Sequence, residues 1–230
     1  MKKQILPFLI LLFSSTVFAQ VDPVGDFNRH SIANWKGEYI RISQYRVKGT
    51  PYYLGESFPG TISYKDGKTV PGVKVLYDLY SQKAGIDLKS NEMFEEESGV
   101  KQFTLDLPER FGGKKMLFVN ADAYDSNAYK GYFNVLEDGA NLALLKAYKI
   151  QLVTDPTQNL VKDVRAFDQY FTYYLYNKKT KALQKIKLKE KDLMKEMNNE
   201  EKVKAFSKDH EVDFSKEADV IKVLKYYNTL

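Results

Sequence analysis

The 230-residue chain contains no cysteine, a single tryptophan and two histidines. Without cysteine there is no disulfide, no thiolate metal site and no cysteine to carry a lipid, so the fold rests on its core alone. His30 and His210 have no histidine, cysteine or carboxylate at ligand spacing beside them, which argues against a His-based catalytic or zinc site. No G-x-S-x-G nucleophile elbow occurs, and Gly112-Gly113-Lys114 lacks the spacing and the following Ser or Thr of a phosphate loop. Glycine stops at Gly139 and proline at Pro156, so turn punctuation ends well before the chain does. Long apolar runs are missing after Ile5–Phe13, and that run is too short for an ordinary membrane span.

What is present at the start is Lys2 and Lys3, the apolar run, and then small residues around Val17-Phe18-Ala19. This is the pattern of a cleaved secretory signal over residues 1–19, and it predicts an exported mature chain, periplasmic or secreted, with no transmembrane span. A domain of that size buries about 70% of the surface its unfolded chain exposes, enough for a core without disulfides. Removing Lys2 and Lys3 leaves 33 basic and 30 acidic residues, net +3. From Lys178 onward 14 lysines face 10 acids, net +4, whereas residues 20–177 carry 19 basic and 20 acidic side chains, net −1. The positive excess is C-terminal and modest, and it does not point to nucleic acid.

The stretch Gly60–Tyr80 reads as a β-hairpin. Ile62 and Tyr64 alternate with polar residues on one arm, and Val73, Val75, Tyr77 and Leu79 do so on the other. Asp66-Gly67 supplies the turn, and Pro71-Gly72 marks a bend or bulge in the return strand. Leu76 and Tyr80 have the opposite parity, which predicts partial cover on the second face. Before it, Trp35–Tyr45 reads as a first strand, and Gly49–Pro59 as a loop whose Tyr52, Tyr53 and Phe58 either cap the core or form a ligand-facing rim. After it come short strands over Gly85–Lys89, Met93–Glu97, Lys101–Leu107 and Met116–Val119. A second hairpin turns at Asp138-Gly139, and a third runs from Phe171, Tyr173 and Leu175 through Asn177–Thr180 to Ile186 and Leu188. Repeated hairpins predict a mainly β fold: an antiparallel meander over residues 20–188, forming a sandwich or a half-open barrel.

From about Lys189 the pattern becomes helical. A short helix begins at Asp192-Leu193-Met194, Asn198 with Glu201 resembles a capping box, and Ser215 is the expected cap of a last helix carrying Val220, Ile221, Leu224 and Tyr227. These helices, residues 189–230, bury little alone and should dock on the β-domain. The combination of GTPYYLGESFPGTISYKDGKTVPGVKVLYDLY, GYFNVLEDGANLALLKAYKIQL, YYLYN and a terminal YYNTL resembles a group of uncharacterised exported proteins common in Bacteroidota. The resemblance implies an exported, periplasmic protein of that phylum and brings no activity, ligand or catalytic residue with it.

Three features are candidates for function. Lys185, Lys187, Lys189 and Lys191 recur at every second position, which on a strand starts a line of positive charge opposite Ile186 and Leu188. Such a line suits an envelope protein or an anionic lipid or glycan surface, or else it protects an edge strand from further pairing. Asp122, Asp125 and Asn127 offer oxygen ligands, but their spacing fits no calcium loop, and Glu95-Glu96-Glu97 reads as a solvated strand end. No cofactor is expected. The resulting expectation is a non-catalytic exported binding or accessory protein of the envelope, recognising its partner through Lys185, Lys187, Lys189, Lys191 or the rim of Tyr52, Tyr53 and Phe58. The alternative is a carrier of an apolar or lipid ligand inside a half-open barrel, with an enzyme as a third reading.

Overall fold

Asp66-Gly67 does what its chemistry predicts. In the computed structural model, which describes residues 32–33, 39–40, 46–89, 92–125, 127, 129–154 and 164–230, Gly67 sits at φ +95°. Its amide donates to the Tyr64 carbonyl at 3.1 Å, and the Lys68 amide donates to Asp66 Oδ1 at 2.9 Å. This turn joins β4 (Phe58–Tyr64) to β5 (Thr69–Asp78). Gly60 pairs with Val73 and Thr61 with Pro71, so Gly72 is the extra residue of a bulge, where Pro71-Gly72 placed it.

The remaining strands are β1 (Ile32–Ala33), β2 (Tyr39–Ile40), β3 (Arg46–Lys48), β6 (Lys83–Lys89), β7 (Glu92–Phe94), β8 (Val100–Asp106), β9 (Lys115–Asn120), β10 (Tyr132–Asp138), β11 (Leu142–Thr154), β12 (Val164–Asn177) and β13 (Ala182–Ile186). Among the described residues, strands β1 and β2 pair with each other and with no other strand. The other eleven form one sheet in the order β13-β12-β11-β10-β9-β8-β4-β5-β6-β7, with β3 added in parallel to the start of β12. The fold is thus mainly β, and the sheet does not close into a barrel. Of the strand expected over Trp35–Tyr45 only Tyr39–Ile40 falls among the described residues. Trp35 and the region read as a signal lie outside them.

The sheet curls around a core of rings. Tyr53, Phe58, Tyr64, Tyr77, Phe103, Phe118 and Tyr132 are all buried there with Tyr148 of β11. Centroid separations of 4.9 Å for Phe103–Phe118, 5.0 Å for Tyr53–Tyr148 and 5.7 Å for Tyr77–Tyr132 are those of rings in contact. Leu76 is buried on the second face of β5, but Tyr80, two residues past the strand's end, is 42% exposed, so cover on that face does not extend beyond the strand.

Strand β11 is buried on both faces over its first half. Leu142 and Leu144 meet α1 (Glu190–Met194), α2 (Glu200–Asp209) and α3 (Glu217–Tyr227) through Leu193, Val203, Val220 and Leu224. Ala143, Leu145 and Ala147 pack on the opposite side with Phe133 and Tyr129. Asn228, just past α3, locks the helix to the sheet: its Oδ1 accepts from the amides of Asn141 and Leu142, each at 2.9 Å, and its Nδ2 donates to the Leu142 carbonyl at 3.0 Å.

Two expected caps do not form. The N-cap of α2 is Asn199 in the left-handed region with no side-chain bond, not Asn198. That of α3 is Lys216, because Ser215 turns its hydroxyl to Asp213 Oδ1 at 2.6 Å. The first helix begins at Glu190, two residues ahead of Asp192. Among the described residues no helix is long and apolar enough to cross a membrane.

Candidate functional site

The distinctive site is an edge. Strand β12 pairs with β11 along nearly its whole length, while among the described residues its other side is covered at the two ends alone. At one end β3 pairs Lys48 with Ala166, and Gly49, at φ +84°, then turns the chain away. At the other end β13 pairs Ile186 with Tyr173 and stops. It stops because the Lys187 amide donates to Asp192 Oδ2 at 3.2 Å, and the Lys189 amide folds back to the Lys187 carbonyl at 2.8 Å to start α1. Asp168–Thr172 therefore has no strand on that side among the described residues. The Lys178 amide donates to Asn141 on the β11 side, so alternation along the strand turns the amides and carbonyls of Gln169 and Phe171 outward.

Beside this edge lies an open groove of about 450 Å³, lined by Phe171, Tyr173, Lys185, Ile186, Lys187 and Leu188, with Thr172 and Ser215 at its margins. Phe171 is 53% exposed and Tyr170, on the opposite face, 41%. Lys185 and Lys187 are exposed and make no ion pair among the described residues. Under the groove, Lys146 Nζ sits 4.2 Å from the Phe171 ring centroid, 5.1 Å from Tyr173 and 5.3 Å from Tyr148. It also bonds Glu217 Oε2 at 2.7 Å, an oxygen that accepts from the Tyr173 hydroxyl at 2.8 Å.

Burial alone pushes the Glu217 carboxyl upward, but the hydrogen bonds from Lys146 and Tyr173 outweigh it and hold it below its ordinary value. Burial and the same carboxylate push the Tyr173 phenol well up, so it stays a donor. This charge pair is satisfied internally and fixes the groove floor. Among the described residues, the unpaired charges lining the groove are those of Lys185 and Lys187.

The line of lysines expected on one strand is not there. Lys185 lies on β13; Lys187 lies beyond it, because Asp192 has captured its amide; Lys189 precedes α1 and Lys191 is within it. Lys185 and Lys187 reach the groove, whereas Lys191 lines a different pocket with Lys195 and Lys204. Of the two readings of the aromatic loop, the core cap holds for Tyr53 and Phe58 and the rim does not: they are 4% and 2% exposed and in contact with Phe118 and Phe111. Tyr52 is half-buried, bridging to Asp78 of β5.

Sequence reasoning missed Tyr170, Phe171, Lys146 and Glu217 as a site. One signal was available: Tyr170-Phe171 and Tyr173-Tyr174 put large rings on both parities of one strand, more than a single buried face uses.

Other candidates turn inward. Asp122 pairs with Lys65 at 2.6 Å, Asp125 accepts the Asn127 amide, and Glu95 and Glu96 pair with Lys83 and Lys68. His210 stacks on Phe206 and bonds its carbonyl at 2.9 Å. Among the described residues no group of three or more His, Cys, Asp or Glu could hold a metal ion. Comparison with protein-family models, with curated proteins and with solved structures finds no match to this chain.

Proposed function

We propose that this chain is a non-catalytic binding protein of the cell envelope, exported by its first 19 residues, and that it takes an anionic partner in the groove beside β12. One observation carries the reading: among the described residues an uncovered strand edge, the exposed Phe171 ring and two unpaired lysines converge on one groove. Exposed aromatics at a concave surface are the usual mark of a recognition site. Against a carrier stands the ring-filled core, where the curl of the sheet would have to hold the ligand. Against catalysis in the groove stands its ionisable pair, Lys146 and Glu217, each satisfied by the other beneath the rings. Export is supported by the pattern over residues 1–19 and by the resemblance to exported Bacteroidota proteins.

The test is capture from envelope extracts, with mass spectrometry of proteins and lipids. Wild type and Lys191→Glu should retain a partner that Phe171→Ala/Lys185→Glu/Lys187→Glu loses. A partner list identical for all three would remove the groove from the account. Intact-mass measurement of the exported protein should show residues 1–19 absent.

A further inference from the structure

We infer that the partner is an extended acidic segment of polypeptide that adds to β12 as a strand between β3 and β13; this rests on the groove being the recognition site. The first argument is backbone chemistry. Gln169 and Phe171 each present an amide and a carbonyl outward, and another extended backbone is the partner that matches that alternation of donors and acceptors. Headgroups and glycans meet lysines equally well but have no use for the ladder.

The second argument is that the edge is undefended. Exposed edges are ordinarily blunted by lysine, proline, a bulge or shortness. The opposite edge of the sheet, β7, has three residues. Past Asp168, whose carboxylate accepts from Gln151 at 3.3 Å, the stretch Gln169-Tyr170-Phe171-Thr172 has no charge, proline or glycine, and it continues a fourteen-residue strand without a register shift. The lysines that would guard an edge stand at its end instead, where Asp192 diverts the chain.

The third argument sets length and sequence. Between the ends of β3 and β13 there is room for about five residues, roughly 17 Å of strand. Side chains of an added strand alternate beside Phe171 on one face and Tyr170 on the other, which favours apolar or β-branched residues in the middle. The end that reaches Lys185 and Lys187 should carry the carboxylates.

The test uses the full chain and a synthetic array of extended peptides of about eight residues, alternating apolar and polar positions, ending in glutamates, glutamines or lysines. By fluorescence anisotropy the glutamate-ended peptides should bind at least about tenfold tighter than the lysine-ended ones, and Lys185→Glu/Lys187→Glu should reverse that order. Methylating the edge-facing backbone nitrogens of the best peptide should weaken it at least about tenfold. Gln169→Pro removes an outward donor at a position where an edge strand tolerates proline, and should do the same. If that variant does not fold, the methylated peptides carry the test alone. Binding that responds to the lysine changes but not to methylation keeps the groove and overturns strand addition. No binding by any peptide overturns the inference, as does a wild-type dimer that Gln169→Pro dissolves, since the occupant is then a second copy. Failure of the groove itself shows differently: capture from extracts is then unchanged by the groove variant.

Discussion

The two halves of the run Asp168–Asn177 in β12 both carry aromatic residues and meet opposite fates. Tyr173–Asn177 pairs on both sides, with Leu175 1% exposed between β13 and the helices. Asp168–Phe171, equally extended and also aromatic, pairs on one side and is exposed on both faces. Strand-forming tendency does not separate them. What does is the pair of events that end their neighbours: Gly49 turning β3 away, and Asp192 taking the Lys187 amide from β13. An open edge here is made by two residues outside the strand, and burial follows from who stands beside a segment as much as from its own side chains.

That contrast can be broken or sharpened by substitution. The largest effect belongs to the covered half: Leu175→Ala should destabilise the chain by about 2–5 kcal/mol in denaturant unfolding. A cost no larger than that of Phe171→Ala would erase the distinction between the halves. Next comes the lock that holds the helices over the covered half. Asn228→Ala leaves the Asn141 and Leu142 amides without their acceptor and should cost about 1–3 kcal/mol. A Cβ on Gly139 would overlap the Asn228 side chain, its Cβ included, so Gly139→Ala should be costly alone and clearly less costly, though not neutral, in the Asn228→Ala background. Simple additivity in that cycle would contradict the lock.

On the open half the expected stability effect is small. Phe171→Ala should cost less than about 1 kcal/mol, since the ring is half exposed and loses its contacts with the Lys146 ammonium and the edge of the Tyr173 ring at the surface. The smallest effect is pH-dependent. Glu217 is held below its ordinary value in the folded chain, so its contribution is present above the unfolded value of about 4.3 and is lost as pH falls through the lower folded value. Glu217→Gln should therefore narrow its stability gap to wild type in acid. A gap unchanged from pH 7 to pH 3 would show that the Lys146 contact contributes nothing.

Much of this fold was legible because its causes are local. Asp66-Gly67, the Pro71-Gly72 bulge, the buried faces of β4, β5 and β8, and the apolar stripe of α3 all follow from residues within a turn or a few positions of one another. The site was not legible for the converse reason. The parallel pairing of Lys48 with Ala166 joins segments far apart in the chain, and the lysine ladder broke because a carboxylate five residues on captured one amide. Tyr53 and Phe58 could be read either as caps of the core or as a rim because their segment reads as a loop, and it is the packing of the sheet against them that makes them core. Ser215 and Asn198 show the same limit on a smaller scale: a capping residue is a competition, and in Ser215 a nearby aspartate won.

The central claim is that Gln169 and Phe171 present free backbone edges that a partner strand covers. Amide hydrogen exchange at these two positions, read against Leu175 two turns of the pleat away, tests it most directly. In the free chain both should exchange at least about a hundredfold faster than Leu175, and both should slow when the best glutamate-ended peptide is added. Exchange at Gln169 and Phe171 as slow as at Leu175 before any peptide is present would mean the edge is already covered, and would contradict the account.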